Sequence, residues 1–434
     1  MQQIEIWALI PFILMLLSIA TMPLIAEKWW EKNSNKLIVA ILLSIPASAY
    51  LILNGMTENL THQILWDYIP FITLLTTLFV VTGGIEILGD IQARPRNNTL
   101  MLATGYILAS LIGTTGASML LIHPLLRINQ QRTYKTHTIL FFIALVANCG
   151  GILTPLGDPP LFLLYLRGAH FSWFMGMFYQ WAAVGVVLLI IYLVTDYYIY
   201  YKKEDTAAIM ADFREKTDIS FRGKFNIILL VGVVLSVLYI NSSYIPQMND
   251  ENAPLHIKFL REIVLIGITL LSLLTTRKNV RKDNNFTWEP IIEVGVVFIG
   301  IFITMTPALI FLSQNASRLG LTQPWQFFYA SGTLSAFLDN SPTAVAFHTV
   351  AQSIPSPENM PMVAGANELI LKAIALGSVF FGAMTYIGNG PNFMVKAIAE
   401  QEGVKMPGFF GYMFKFSLIV LLPIYILMQL YFLR

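Results

Sequence analysis

The chain has 434 residues, of which 56% are hydrophobic and only 12% charged, about half the charged share of an ordinary soluble domain. With a mean hydropathy of +0.65 it has too little polar surface for a disordered, fibrous or soluble globular protein, and it reads as a polytopic membrane protein. A net charge of +2 points to no nucleic-acid partner, and a single cysteine, Cys149, excludes an intrachain disulfide and a cysteine metal cluster.

A spanning helix needs roughly 20 mostly apolar residues. The first is expected over 4–26, which is apolar for longer than a signal sequence, has no basic residue before it and carries Glu5. Trp29 and Trp30 behind it suit an interfacial belt. Spans follow at 36–55 and 64–88. Residues 99–126 are apolar but broken at Gly-Thr-Thr-Gly (113–116), which predicts a re-entrant hairpin. Spans at 137–166 and 173–200 precede a mixed-charge link, 201–224. Beyond it come 225–240, an external loop at 241–257, then 258–275 and 289–313. A second hairpin is expected at 325–350, broken at Asp-Asn-Ser-Pro (339–342), and spans at 366–397 and 410–432 complete the chain.

With 27–36 in the cytoplasm, this topology puts 21 of the 27 lysines and arginines on the cytoplasmic side, as the positive-inside rule asks. Reading either hairpin as a full span would exchange the sides of the basic loops behind it. Both termini fall outside. Each half then has three spans, a hairpin and two spans, and five being odd, the second half is inverted. The expected fold is all-α, an inverted repeat of 5+5 transmembrane helices with two re-entrant hairpins and two broken helices. Residues 1–200 form the first repeat, 201–224 the link and 225–434 the second repeat. Thr154-Pro-Leu-Gly-Asp-Pro-Pro-Leu-Phe162 lies over Thr385-Tyr-Ile-Gly-Asn-Gly-Pro-Asn-Phe393, so Asp158 faces Asn389. At a nearby offset Ser110 falls on Ser335, Thr114 on Asp339, Ser118 on Thr343 and His123 on His348. Inverted repeats with interrupted helices mark secondary transporters.

Breaks at 113–118, 148–160, 339–343 and 385–392 free backbone groups that only protein or a water-filled cavity can satisfy. Their carbonyls suit a hard cation and their half-helix N-termini an anion. A carboxylate at membrane depth costs about 2.5–3.5 kcal/mol, so Asp339 is read as a Na⁺ ligand that also takes up H⁺, and also as a cap ahead of Ser-Pro. Asp158, in Gly-Asp-Pro-Pro, is either a second such carboxylate or a turn residue. Asn148 and Asn389 offer amide oxygens, so Na⁺ is placed at Asp339, Asn340, Asn148 and Asn389. Thr114, Thr115, Ser118, Thr154, Ser341, Thr343, Thr385 and Asn392 complete the candidate lining. His123 and His348 are candidate proton relays. Glu86, Asp90 and Glu293 are expected at interfacial span ends, Lys372 snorkels outward and Cys149 fills space. Neither a Walker A nor an HExxH or GxSxG signature is present, so the chain reads as a carrier rather than an ATP-driven pump or an enzyme.

The runs LASLIGTTGASMLLIHPLLR (108–127), NCGGILTPLGDPPLFLLYLRG (148–168), SAFLDNSPTAVAFH (335–348) and TYIGNGPNFMVKAIAE (385–400) resemble the ion transporter superfamily. The branch is that of bacterial sodium:proton antiporters, related to NhaD-type antiporters, arsenite permeases and citrate or dicarboxylate carriers. The resemblance implies a homodimer in the bacterial inner membrane, a scaffold domain and a transport domain interleaved across both repeats, elevator-like movement, and cation contacts at the hairpin tips. The carboxylate carriers have Ser-Asn-Thr at those tips, where this chain has Gly-Thr-Thr-Gly-Ala-Ser and Asp-Asn-Ser-Pro-Thr. The expected function is Na⁺ (or Li⁺)/H⁺ antiport without any cofactor beyond Na⁺. Na⁺- or H⁺-coupled symport of a citrate-type anion is the alternative, and arsenite efflux the third.

Overall fold

The computed structural model describes residues 3–212, 217–250, 252–355 and 360–433. Helix dominates, and seven helices are long and apolar enough to cross a membrane: Ile6–Pro23, Asn33–Leu53, Thr57–Thr82, Thr136–Leu153, Phe178–Lys202, Glu289–Leu319 and Phe409–Phe432. The other three expected spans fall into shorter helices: Phe225–Tyr239, Leu260–Thr275, and the interrupted pair Glu368–Gly382 and Gly390–Gln401. The chain is therefore a polytopic membrane protein. Its apolar side chains face outward where a lipid-facing helix needs them, as at Leu53 (85% exposed) and Leu274 (82%).

The ordered helices are labelled in chain order. α1 is Ile10–Ile25, α2 Asn33–Leu53 and α3 Ile69–Thr82. α4 is Pro95–Ile112, α5 Thr114–Ile128, α6 Thr136–Leu145, α7 Pro159–Leu166 and α8 Phe178–Lys202. After the link come α9 Phe225–Tyr239, α10 Leu260–Thr275 and α11 Glu289–Asn315. α12 is Pro324–Phe337, α13 Asn340–Gln352, α14 Glu368–Gly382, α15 Gly390–Gln401 and α16 Leu422–Phe432.

Two packed groups result. α11 lies against α1 and α2, and α10 against α3 and α9. In the other group α14 lies between α12 and α13, α4 packs on α5 and α8, and α15 on α5 and α6. The groups meet where α11 touches α13 and where α3 touches α5 and α7.

Gly113 joins α4 to α5 with φ +82°, a left-handed conformation that a side chain disfavours. The two helices fold back on each other there: a Cβ on Gly105 would lie 2.9 Å from Leu121 Cδ1. α12 and α13 do the same around Leu338–Asp339, where the rings of Phe327 and Phe347 stand 6.3 Å apart edge to face. The breaks between α6 and α7 and between α14 and α15 close on themselves through glycine. A Cβ on Gly157 would overlap the Gly151 carbonyl oxygen, and one on Gly388 would lie 2.7 Å from the Gly382 carbonyl oxygen. Only glycine permits such backbone contact.

Two expectations need correction. The chain is not purely α: Glu86–Asp90 (β1) pairs antiparallel with Thr217–Arg222 (β2), and Met362–Val363 pairs with Ala366–Asn367. The expected span 64–88 thus ends as helix at Thr82, because Gly83-Gly84 interrupts it and the link supplies β2 as a partner strand. Glu86 is buried and lies 3.5 Å from Arg222, so β2 of the link is fastened to the end of the third span.

Candidate functional site

Four half-helices, α5, α7, α13 and α15, start at a common point. Each N-terminus leaves backbone N–H groups unpaired and carries partial positive charge. Proline at the first turn of α7 and α15 suits those starts, since its missing N–H is not needed there.

Asp158, the residue before α7, is 1% exposed and sits at this point. Its Oδ1 accepts from Thr114 Oγ1 at 2.5 Å and from Asn389 Nδ2 at 3.1 Å. Its Oδ2 accepts from Asn340 Nδ2 at 2.5 Å. Thr114 begins α5, Asn340 begins α13 and Asn389 precedes α15, so the other three half-helices each place one donor on the carboxylate. Among the described residues neither Asp158 nor Asp339 has a lysine or arginine partner.

An asparagine relay extends this core. Asn389 Nδ2 also reaches Asn148 Oδ1 (3.2 Å) and the Ala147 carbonyl (3.1 Å). Asn148 Nδ2 donates to Asn392 Oδ1 (2.7 Å) and to the Ile143 carbonyl (2.8 Å). Asn392 Nδ2 in turn closes the α14–α15 break by donating to the Gly382 and Thr385 carbonyls at 2.8 and 2.9 Å. Buried amides must find partners, and here they find one another and the freed backbone carbonyls. Rotating an asparagine amide would turn its oxygen, in place of its NH₂, towards Asp158, so the same residues can offer oxygens to a cation.

Thr114, Asn148, Asp158, Asn340, Asn389 and Asn392 are thus gathered in one network. The Asp339 carboxylate lies close enough for its charge to act on Asp158 but takes a local partner instead. It accepts from the Ser341 backbone N–H at 2.9 Å and caps α13. Ser341 Oγ donates to Asn340 Oδ1 (3.2 Å), and Thr343 Oγ1 donates to the Asp339 carbonyl (3.0 Å). Thr154 and Thr385 are latches: their hydroxyls donate to the Ser110 and Ala336 carbonyls. Ser118 is fully buried with no partner for its hydroxyl, and Thr115 lines a cavity of about 60 Å³ between the α4–α5 tip, α3 and α11. His348 donates through Nε2 to the Ala364 carbonyl, 2.9 Å away, at the far end of α13. As its only possible partner there is an acceptor, Nε2 carries the proton.

Bonds of the same kind recur in the two halves of the chain. Thr114 and Asn340 are both first helical residues and both donate to Asp158, and Thr154 reaches Ser110 as Thr385 reaches Ala336.

Several other polar residues have plain partners. Glu293 pairs with Lys36 at 2.6 Å, Lys372 with Glu368 at 2.8 Å, and Cys149 Sγ lies 3.3 Å from Tyr425 Oη. Buried acidic residues inside expected spans escape motif reading, Asp196 and Asp67 among them. Asp196 is fully buried with Arg132 at 2.7 Å and His137 at 2.8 Å, and Asp67 holds Arg167 at 2.9 Å. Their position inside apolar stretches was the available signal.

No curated protein matches the chain. Residues 1–433 match the model of the CitMHS_2 family, whose description is "Putative citrate transport", and the chain belongs to that family of ion and citrate transporters.

Proposed function

We propose that the protein couples the movement of a citrate-class carboxylate to Na⁺ or H⁺, with Asp158 as the coupling site. Family membership supports transport as its role, with a small anion or ion as substrate and a membrane as its setting. The observation that carries the proposal is the Asp158 carboxylate, buried without a cationic side chain among donors from three other half-helix starts. A second carboxylate entering the same ring of N-termini meets the charge of Asp158 directly. Na⁺ or H⁺ bound at Asp158 removes that repulsion, so ion and anion enter together. The four N-termini supply the positive potential that arginine or lysine supplies elsewhere.

The proposed architecture is the inverted 5+5 repeat with re-entrant hairpins. Matched glycine contacts, Gly151 with Gly157 and Gly382 with Gly388, and matched threonine latches support it. The two packed groups supply a scaffold (α1–α3, α9–α11) and a moving body, which suits elevator-like exchange in a homodimer of a bacterial inner membrane. Na⁺/H⁺ exchange, as in the NhaD-type branch, is the second reading. It is favoured by the lack, among the described residues, of a cationic side chain bonded to Asp158 and by the oxygen-rich relay around it.

Purified protein in liposomes separates the two. Labelled citrate uptake that requires an inward Na⁺ or H⁺ gradient, and is lost in Asp158→Asn, is the expected result. Proton release driven by Na⁺ alone, with no citrate uptake, would replace the symport reading by exchange.

A further inference from the structure

α7 and α13 run from the Asp158 cluster to a second, larger cavity of about 880 Å³, within the ~300–1,000 Å³ range of small-ligand sites. α7 has 8 residues, so the two sites are separated by about 12 Å of helix. The cavity lies on the face that the lysine and arginine distribution assigns to the outside. Its charged lining is Asp67, Arg167, Lys258, Arg261 and Glu262, one positive charge in excess.

Each arginine is already held by a carboxylate of the chain itself. Arg167 Nη2 donates to Asp67 Oδ2 at 2.9 Å. Arg261 donates through Nε (2.8 Å) and Nη2 (2.6 Å) to Glu262 Oε1, and its guanidinium carbon lies 5.6 Å from the ring centres of Phe162 and Tyr165 on α7. Two polar atoms of lining residues are without a partner, Gln63 Nε2 and Arg167 Nε, both covered just beneath the wall and within reach of the cavity by side-chain rotation. Gln63 is only 5% exposed. Both atoms are donors, and buried donors left unpaired call for an acceptor-rich ligand.

We propose that this cavity is a second anion site that captures a di- or tricarboxylate before it reaches Asp158. One substrate carboxylate accepts from Arg167 Nε and Gln63 Nε2, while Asp67 keeps Nη2 and acts as the internal competitor for the guanidinium. The identity of the anion rests on the transport reading above; the site itself does not.

The test is equilibrium binding of labelled citrate to the purified full-length chain at low ionic strength, in an Asp158→Asn background that silences coupling. Saturable binding is expected to persist there. Arg167→Gln should weaken it by about tenfold or more, the loss expected for one charge-assisted hydrogen bond. Gln63→Leu, which leaves every ion pair intact, should weaken it severalfold. Asp67→Asn should tighten it, because Arg167 loses its competitor; a merely structural ion pair would make both of its variants fail alike. Binding indifferent to Arg167→Gln and Gln63→Leu, absent altogether, or weakened by Asp67→Asn in a folded protein overturns the site, while citrate uptake by the wild type would still uphold the transport reading. Binding with the expected variant pattern but no uptake upholds the site and removes the transport reading.

Discussion

Two aspartates at helix starts look alike in sequence and differ in their surroundings. Asp339 accepts from the N–H of Ser341 two residues on, which is local capping. Asp158 instead gathers donors 44, 182 and 231 residues away. Asparagine caps about as well as aspartate, so Asp339→Asn is expected to keep both stability and coupled uptake, whereas Asp339→Ala should lower stability by about 1 kcal/mol. Thermal unfolding beside liposome uptake checks both. Asp158→Asn removes the only charge of the network and should lower coupled uptake about a hundredfold or more, the equivalent of about 3 kcal/mol at a buried charged site. Normal, gradient-dependent uptake by that variant would sink the coupling role.

At the scale of elements, the breaks are built from backbone contact. Gly157 and Gly388 admit no Cβ, because carbonyl oxygens of Gly151 and Gly382 occupy the space. Gly157→Ala and Gly388→Ala should each cost about 1–3 kcal/mol through forced displacement of the neighbouring strand of chain. Gly390, the first residue of α15, has nothing within 4 Å of an added Cβ, so Gly390→Ala should be neutral or stabilising by up to about 1 kcal/mol. Equal melting temperatures for the three variants would contradict the packing described. Arg132, Asp196 and Glu204 tie α8 to the α5–α6 turn with all three side chains at most 3% exposed. Asp196→Ala leaves buried Arg132 with Glu204 as its remaining carboxylate and should cost about 1–3 kcal/mol, read as a loss of folded yield.

At the scale of the molecule, the reversal of α4 on α5 fixes which side the following loops occupy. In a Cys149→Ser background, Arg96→Cys and Gln130→Cys flank this helix pair at exposed positions. A membrane-impermeant thiol reagent should reach both from the same side. Labelling from opposite sides would make α4–α5 a crossing segment and break the proposed inversion of the halves. Gln247→Cys, in the expected external loop, should be labelled from the side opposite to both.

Most of the spans were legible from residue order alone, because apolar length and the helix-breaking effect of glycine and proline act over a few neighbouring residues. The four breaks and the six residues of the network could be named for the same reason. The different surroundings of the two aspartates could not, since capping and long-range donors leave the same local pattern. Nor could the shared role of Thr114 and Asn340, which shows only when both bond a common acceptor. The β1–β2 ribbon depended on a partner strand more than a hundred residues away, and the cavity held by Asp67, Arg167, Arg261 and Glu262 on segments separated by two or more helices. Sequence alone determined that this is a membrane protein with interrupted helices; the meeting of distant segments in a low-dielectric interior decided which carboxylate gathers donors from three other helix starts, because a buried charge is defined by what surrounds it.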